Sequence, residues 1–292
     1  MKKQGTGIRE QGTVFRTRRL GRAASLPIGV LLLAGSAALA HASKDAQLPD
    51  WVTQAATDAP LKSEWRDAKA IVLLDDTLVT VTPDGKVMQR NRMVVKILRP
   101  QGREYAKPVA QFSKDERLIS FHVWSVGPDG HRYAMKDSEY IETGDLGADE
   151  GVLYADARMK LAAPPGTDPG GTVAAEIEQQ VAGYMTENTW SFQSDIPVVR
   201  SIYELDLPPG WHQEAVWSRH EKVPPTEVAP GHFRWEQTNI DGIDLSDVPL
   251  HPAWEAVAGR MTVHFSAEPL PEGDALWSRI GNWYLRLGGA AQ

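Results

Sequence analysis

The stretch 172-TVAAEIEQQVAGY-184 decides the fold. Val173, Ala175, Ile177 and Val181 fall on one side of an extended chain, and Glu176, Glu178 and Gln180 on the other. Side chains alternate across a strand, whereas a helix groups them at 3.6 residues. The stretch therefore describes an antiparallel strand with one buried and one wetted face. Further along, Met261, Val263, Phe265 and Ala267 alternate with Thr262, His264 and Ser266 in the same way.

Working outward, Pro83-Asp84-Gly85 separates two β-rich runs, 70–82 and 86–98, and Pro128-Asp129-Gly130 separates 118–126 from 131–135. In both turns Pro fixes φ and Gly accepts a positive one, so each reads as a hairpin. Residues 198–207, 211–217 and 231–237 are short strands bounded by Pro or Gly. The expected fold is all-β, an antiparallel β-sandwich in two lobes with a short C-terminal helix. The boundaries are a signal peptide at 1–42, a polar lead-in with Trp51 and Trp65 at 43–66, a first β lobe at 67–165, a second at 166–270, and the helix at 271–292. The Pro/Gly-rich stretch 163–171 reads either as the junction of the lobes or as a long loop within one domain. In the last segment Asp274 caps a helix whose Leu276, Ile280, Trp283, Tyr284 and Leu287 form one apolar stripe, a candidate partner contact.

The first residues read as an export signal. Arg16, Arg18, Arg19 and Arg22 precede an apolar run at 26–39, and Ala40-His41-Ala42 or Ala38-Leu39-Ala40 offers a cleavage site. An uncleaved membrane anchor is the alternative, but Pro27 and the small residues favour removal; without the leader no stable membrane insertion is expected. The working place is then periplasmic or secreted. Formal charge is −7, and the first 42 residues hold seven Lys/Arg against one Glu, which leaves about −13 on the rest. That charge argues against nucleic acid as a partner. With no cysteine, the chain lacks disulfides, a Cys nucleophile and Cys-ligated metal.

The order of motifs resembles domain-of-unknown-function family 3857, the N-terminal β region of exported bacterial transglutaminase-like proteins. The motifs are the two Pro-Asp-Gly turns, the second within Trp124-Ser125-Val126-Gly127-Pro128-Asp129-Gly130; Tyr154-Ala155-Asp156-Ala157-Arg158; the Gly-led strand at 171–181; Ile196-Pro197-Val198-Val199-Arg200; Leu205-Asp206-Leu207-Pro208-Pro209-Gly210-Trp211; and Pro249-Leu250-His251-Pro252. The resemblance covers roughly residues 60–287. It implies a β region that leads, through a helix such as 277–287, into a Cys-His-Asp catalytic domain. This sequence ends at Gln292 without a cysteine, so the family's catalytic activity is not carried over.

Other constellations are weak. His212, His220 and His232 lack the tight spacing of metal ligands and read as solvated or turn histidines; His264 is expected to face water. Asp241, Asp244 and Asp247 recur every third residue, unlike a calcium loop. Asp75-Asp76 and Glu176/Glu178 are paired carboxylates of the kind glycosidases use, but charges on a solvated face account for them. Trp235, Trp211 and Trp217 read as core, while Trp51, Trp124 and Trp254 are less constrained. No catalytic residue, metal or cofactor is expected. The function expected is an exported, non-catalytic module that scaffolds or regulates a transglutaminase-like or other envelope partner. Binding of envelope carbohydrate or peptide is the alternative, and a hydrolase with an unrecognised site the third.

Overall fold

The alternating stretch forms β8 (Thr172–Val181), a central strand of an eight-stranded sheet ordered β12-β13-β10-β1-β2-β8-β4-β5. The computed structural model describes residues 45–57, 62–144, 158–181 and 187–267, together with Ser278 and Asn282. The other strands of this main sheet are β1 (Ala70–Val81), β2 (Val87–Ile97), β4 (Arg117–Val126), β5 (Arg132–Ala134), β10 (Val198–Asp206), β12 (Thr226–Ala229) and β13 (His232–Ile240). Neighbours run antiparallel except β1 and β10, which are parallel. Both Pro-Asp-Gly turns close hairpins, with Gly85 and Gly130 at φ 79° and 85°, in the region that favours glycine.

Two small sheets complete the fold: β11-β14-β9, from β9 (Glu187–Trp190), β11 (His212–Ser218) and β14 (Arg260–Ser266), and β3-β7-β6, from β3 (Val109–Phe112), β6 (Ile141–Gly144) and β7 (Arg158–Leu161). Both lie on one face of the main sheet, here called the inner face. One core joins Val79, Val87, Val181, Tyr203, Leu205 and Trp235 to Trp190, Met261, Val263 and Phe265 of the first small sheet. A second joins Phe121, Val123, Val173, Ala175 and Ile177 to Ala110 and Ala162 at the other. The architecture is thus sandwich-like, one wide sheet backed by two narrow ones, as the alternation predicts.

The outer face is partly covered by a helix the sequence reading did not anticipate, α1 (Asp50–Thr57). Val52 of α1 and Trp65 of a 3-10 turn at Ser63–Asp67 are buried against Ile71, Leu73, Val94, Ala174 and Ile202. A bulge between Val72 and Leu74 turns both Leu73 and Leu74 toward this face.

The main sheet draws strands from both sides of the 165/166 boundary: β8 sits between β2 and β4, and β10 pairs with β1. The stretch 163–171 is a loop laced onto that sheet. Gly170 N–H donates to the Ile97 carbonyl at 2.8 Å, Ile97 N–H to the Gly171 carbonyl at 2.9 Å, and Ser125 Oγ to the Pro165 carbonyl at 2.7 Å. Of the C-terminal segment, Ser278 and Asn282 are helical, and the stripe Leu276, Ile280, Trp283, Tyr284 and Leu287 lies outside the described residues, as does the leader at 1–42. Among the described residues no helix is long and apolar enough to cross a membrane.

Candidate functional site

Along β8 the inner face reads Val173, Ala175, Ile177, Gln179, Val181, and the glutamine breaks an otherwise apolar row. It is one end of a polar belt. Gln179 lies opposite Gln89 of β2, Asn91 of β2 opposite Thr77 of β1, and Asp75 of β1 beside Ser201 of β10. Four adjacent strands therefore place polar side chains between the core around Trp235 and the apolar clusters around Ile177 and Val95 on the inner face. Thr77 Oγ1 and Gln89 Nε2 both donate to Asn91 Oδ1, at 3.0 and 3.1 Å. From β9, Asn188 Nδ2 donates to Gln89 Oε1 at 3.1 Å, and Trp190 Nε1 to Ser201 Oγ at 3.0 Å. Ser201 Oγ in turn donates to Asp75 Oδ2 at 3.1 Å.

Two members of the belt are under-satisfied. Gln179 is 7% exposed, yet among the described residues its Oε1 finds no hydrogen-bond donor. A buried amide oxygen left this way costs about 1–3 kcal/mol. Asp75 has the Ser201 hydroxyl as its hydrogen-bond donor, and no cation pairs with it among the described residues. Burial pushes its carboxyl up to about 7; the Ser201 hydrogen bond opposes that rise, and the like charge of Asp76 adds to it. As whole residues Asp75, Thr77, Asn91 and Met93 are half-buried, less enclosed than Gln89, Gln179 and Ser201.

Asp75 and Asp76 do not form a carboxylate pair: adjacent strand residues point to opposite faces. Asp76 is on the outer face, 3.6 Å from Arg90. There it joins a set of ion pairs, Arg92–Glu176 at 2.5 Å, Arg234–Glu204 at 2.5 Å and Arg200–Glu236 at 2.8 Å. Glu176 and Glu178 share this face, and Ser120 Oγ reaches Glu178 at 3.5 Å. Trp51 and Trp124 meet edge to face at 6.0 Å, with Arg92 over the Trp51 ring at 5.2 Å. These tryptophans dock α1 on the sheet, so their faces are largely taken up by protein.

A cleft of about 460 Å³ lies between the 62–69 turn and the 195–197 and 241–244 segments. Asp241 accepts from Trp65 Nε1 at 2.8 Å and faces Lys62 at 3.6 Å; Asp244 pairs with Lys69 at 2.8 Å. The Lys69 hydrogen bond, helped by Ser246, holds the Asp244 carboxyl down to about 2. Asp247 is exposed on the loop beyond. Asp241 and Asp244 anchor the lead-in turn to the 241–244 loop. Among the described residues no three His, Cys, Asp or Glu stand where they could hold a metal ion. The three histidines do not converge: His212 is in the β11 sheet, His232 faces Glu204 at 3.6 Å, and His220 stacks near Trp217 at 5.3 Å. His264 is half-buried beside Glu187 at 3.3 Å.

Sequence reading passed over Gln179 and assigned no role to Gln89, Asn91, Thr77 or Ser201. The signal available was the interruption itself, a polar residue in phase with a buried row.

The fold and site define a class, an all-β domain whose wide sheet carries two narrow ones and a buried polar belt among its inner apolar clusters. Residues 83–243, more than half of the chain, match the domain of unknown function with solved structure DUF3857, and the chain belongs to that family. No curated protein matches the sequence. Among solved structures, a "putative protease" from Parabacteroides distasonis is similar at 16% identity and TM-score 0.56, over 67% of this chain and 40% of that one. An M1 zinc metallopeptidase from Deinococcus radiodurans is similar at 10% identity and TM-score 0.34, over 67% and 42%. Leukotriene A4 hydrolase from Saccharomyces cerevisiae gives 10% and 0.37, over 77% and 34%. The Parabacteroides likeness is one of fold. The chain matches less than half the length of each of these proteins.

Proposed function

We propose that this protein is an exported, non-catalytic β-module that scaffolds or regulates a catalytic partner of transglutaminase-like or peptidase type. The observation that carries the reading is the Parabacteroides distasonis likeness, in which this fold covers 40% of a larger protein described as a "putative protease". The chemistry of the described surfaces supports it. Glu176, Glu204 and Glu236 of the outer face and Asp241 and Asp244 of the cleft are held by Arg, Lys or Trp, an arrangement that fixes structure. The basic n-region and apolar run before Ala42 support export.

The test is association. Residues 43–292 are purified and mixed with the Cys-His-Asp domain encoded nearest to them, and the mass of the complex is read by light scattering. A one-to-one complex with altered activity of the partner is the expected result. Failure to associate, or hydrolysis of peptide or glycan substrates by the β-module alone, overturns the reading. N-terminal sequencing of the exported protein is expected to begin near Ser43, and a retained Met1 in membrane fractions overturns cleavage.

A further inference from the structure

We propose that β11 is a self-association edge: two copies of this chain pair their β11 strands antiparallel about a two-fold axis at Ala215, joining two three-stranded sheets into one of six strands. The first observation is the edge itself. β11 is the outer strand of its sheet and pairs only with β14, from His212↔Ser266 to Ser218↔Arg260 without a bulge. Among the described residues no other backbone group bonds residues 212–218, so one side of the strand presents open N–H and C=O groups. Proteins blunt such edges with short strands, Pro, Lys or bulges. The other edges here follow that rule: β5 has three residues, β3, β6 and β9 have four each, and β12 has four, with a bulge and Pro224-Pro225 ahead of it. β11 has seven residues and none of these devices. Every one of its residues is at least partly exposed, and Val216 is 47% exposed.

The second observation identifies the occupant as another copy. Among the described residues, β11 carries two enclosed polar atoms without a hydrogen-bond partner, the acceptor Gln213 Oε1 and the donor Trp217 Nε1. Both residues are half-buried and lie on the side of β11 that faces the core, with Ala215 between them. A two-fold axis through a sheet keeps inward side chains inward, so residues that meet across it share a face and the axis falls on a residue. Ala215 is the middle of the seven, and an axis there pairs the whole strand. Gln213 of each copy then stands opposite Trp217 of the other. Directly opposite residues have Cβ atoms about 5 Å apart, and a turn of the flexible glutamine amide toward the edge lets each copy supply what the other lacks. On the wetted side His212 meets Ser218 and Glu214 meets Val216, so no like charges stand directly opposite.

The experiment is sedimentation of residues 43–292, which hold every described element, over a concentration series, followed by disulfide trapping. One edge strand is a small interface, so the wild type is expected to pass from monomer to dimer in the range of roughly 10–100 μM. A wild type still monomeric at about 1 mM overturns the proposal. The chain has no cysteine, so introduced ones report register without background. Glu214 and Val216 are exposed, and Glu214→Cys and Val216→Cys leave the core alone. With the axis at Ala215, a mixture of the two variants is expected to form the crosslinked dimer about tenfold faster than either variant alone. Faster crosslinking within one variant, or none in the mixture, overturns the pairing. Gln213→Leu is expected to raise the dimer dissociation constant about tenfold and to hold the Trp217 indole N–H signal at its monomer position as concentration rises. A wild-type Trp217 signal that dimerisation leaves unmoved overturns the placement of Gln213 opposite it. The wild-type sedimentation needs no variant, so it remains decisive where a substitution disturbs folding.

Discussion

At the scale of single residues, Asp75 is where sequence and structure diverge most. Read along the chain it is half of a carboxylate pair, but strand geometry separates the pair and sends Asp75 inward. A carboxyl whose pKa rises from 3.8 to about 7 on folding binds a proton in the native state that the unfolded chain has already lost. Stability from this group is therefore greatest below about pH 4 and falls as pH rises toward 7, by a total on the order of 4 kcal/mol. Asp75→Asn is expected to remove that slope. In urea denaturation the stability of the variant relative to wild type should increase between pH 5 and pH 8, and a constant difference would show that the carboxyl is not desolvated. Gln179 was legible in principle: it keeps the period of Val173, Ala175, Ile177 and Val181, and only its polarity conceals that it faces inward. What no single strand reveals is that its partner is Gln89, because register belongs to the pair.

At the scale of elements, legibility follows length. Strands β1, β2, β4, β8, β10, β13 and β14 run seven to twelve residues, enough for alternation to stand out, and each overlaps a run the sequence marks. Strands β3, β6, β7, β9 and β12 have four residues each, two alternations, which any loop can show by chance. Helix α1 spans eight residues and offers Trp51, Val52 and Ala55 to the sheet, too few to establish a 3.6-residue period. The loop before β8 shows why packing, more than propensity, fixes an element's start. A Cβ at Gly171 would lie 2.2 Å from the Gly166 carbonyl oxygen and 3.0 Å from that of Asp168, both backbone atoms that cannot swing aside. Gly171→Ala is expected to destabilise by roughly 2–3 kcal/mol, lowering the denaturation midpoint. Gly85→Ala, where a Cβ meets nothing within 4 Å, carries only the cost of its positive φ, roughly 1 kcal/mol. Equal losses at the two sites would mean the loop moves freely.

At the scale of the whole molecule, the sequence signals the all-β class but not the strand order. Hairpins at Pro83-Asp84-Gly85 and Pro128-Asp129-Gly130 are local and legible. The pairing of β1 with β10 joins Val72 to Val198, and nothing near either residue announces the other. The same long-range pairings decide whether the two proposed lobes can exist apart. Without β8 the segment 67–165 loses the strand that joins β2 to β4, and with it Val173, Ala175 and Ile177 from the core that Phe121 and Val123 share. Without β1, β10 loses its parallel neighbour and Val79 and Val81 leave the core around Trp235. Exposed apolar faces and open strand edges of this extent drive aggregation. Residues 43–165 and 166–292 made separately are therefore expected to be insoluble or to lack near-ultraviolet circular dichroism, whereas made together they should recover the signal of the intact chain. Unfolding of the intact chain should follow a single transition by fluorescence and circular dichroism alike. Either fragment folding alone with native-like near-ultraviolet signal, or two separate transitions in the intact chain, would mean that the main sheet is two cooperative units and that 163–171 acts as a true junction between them.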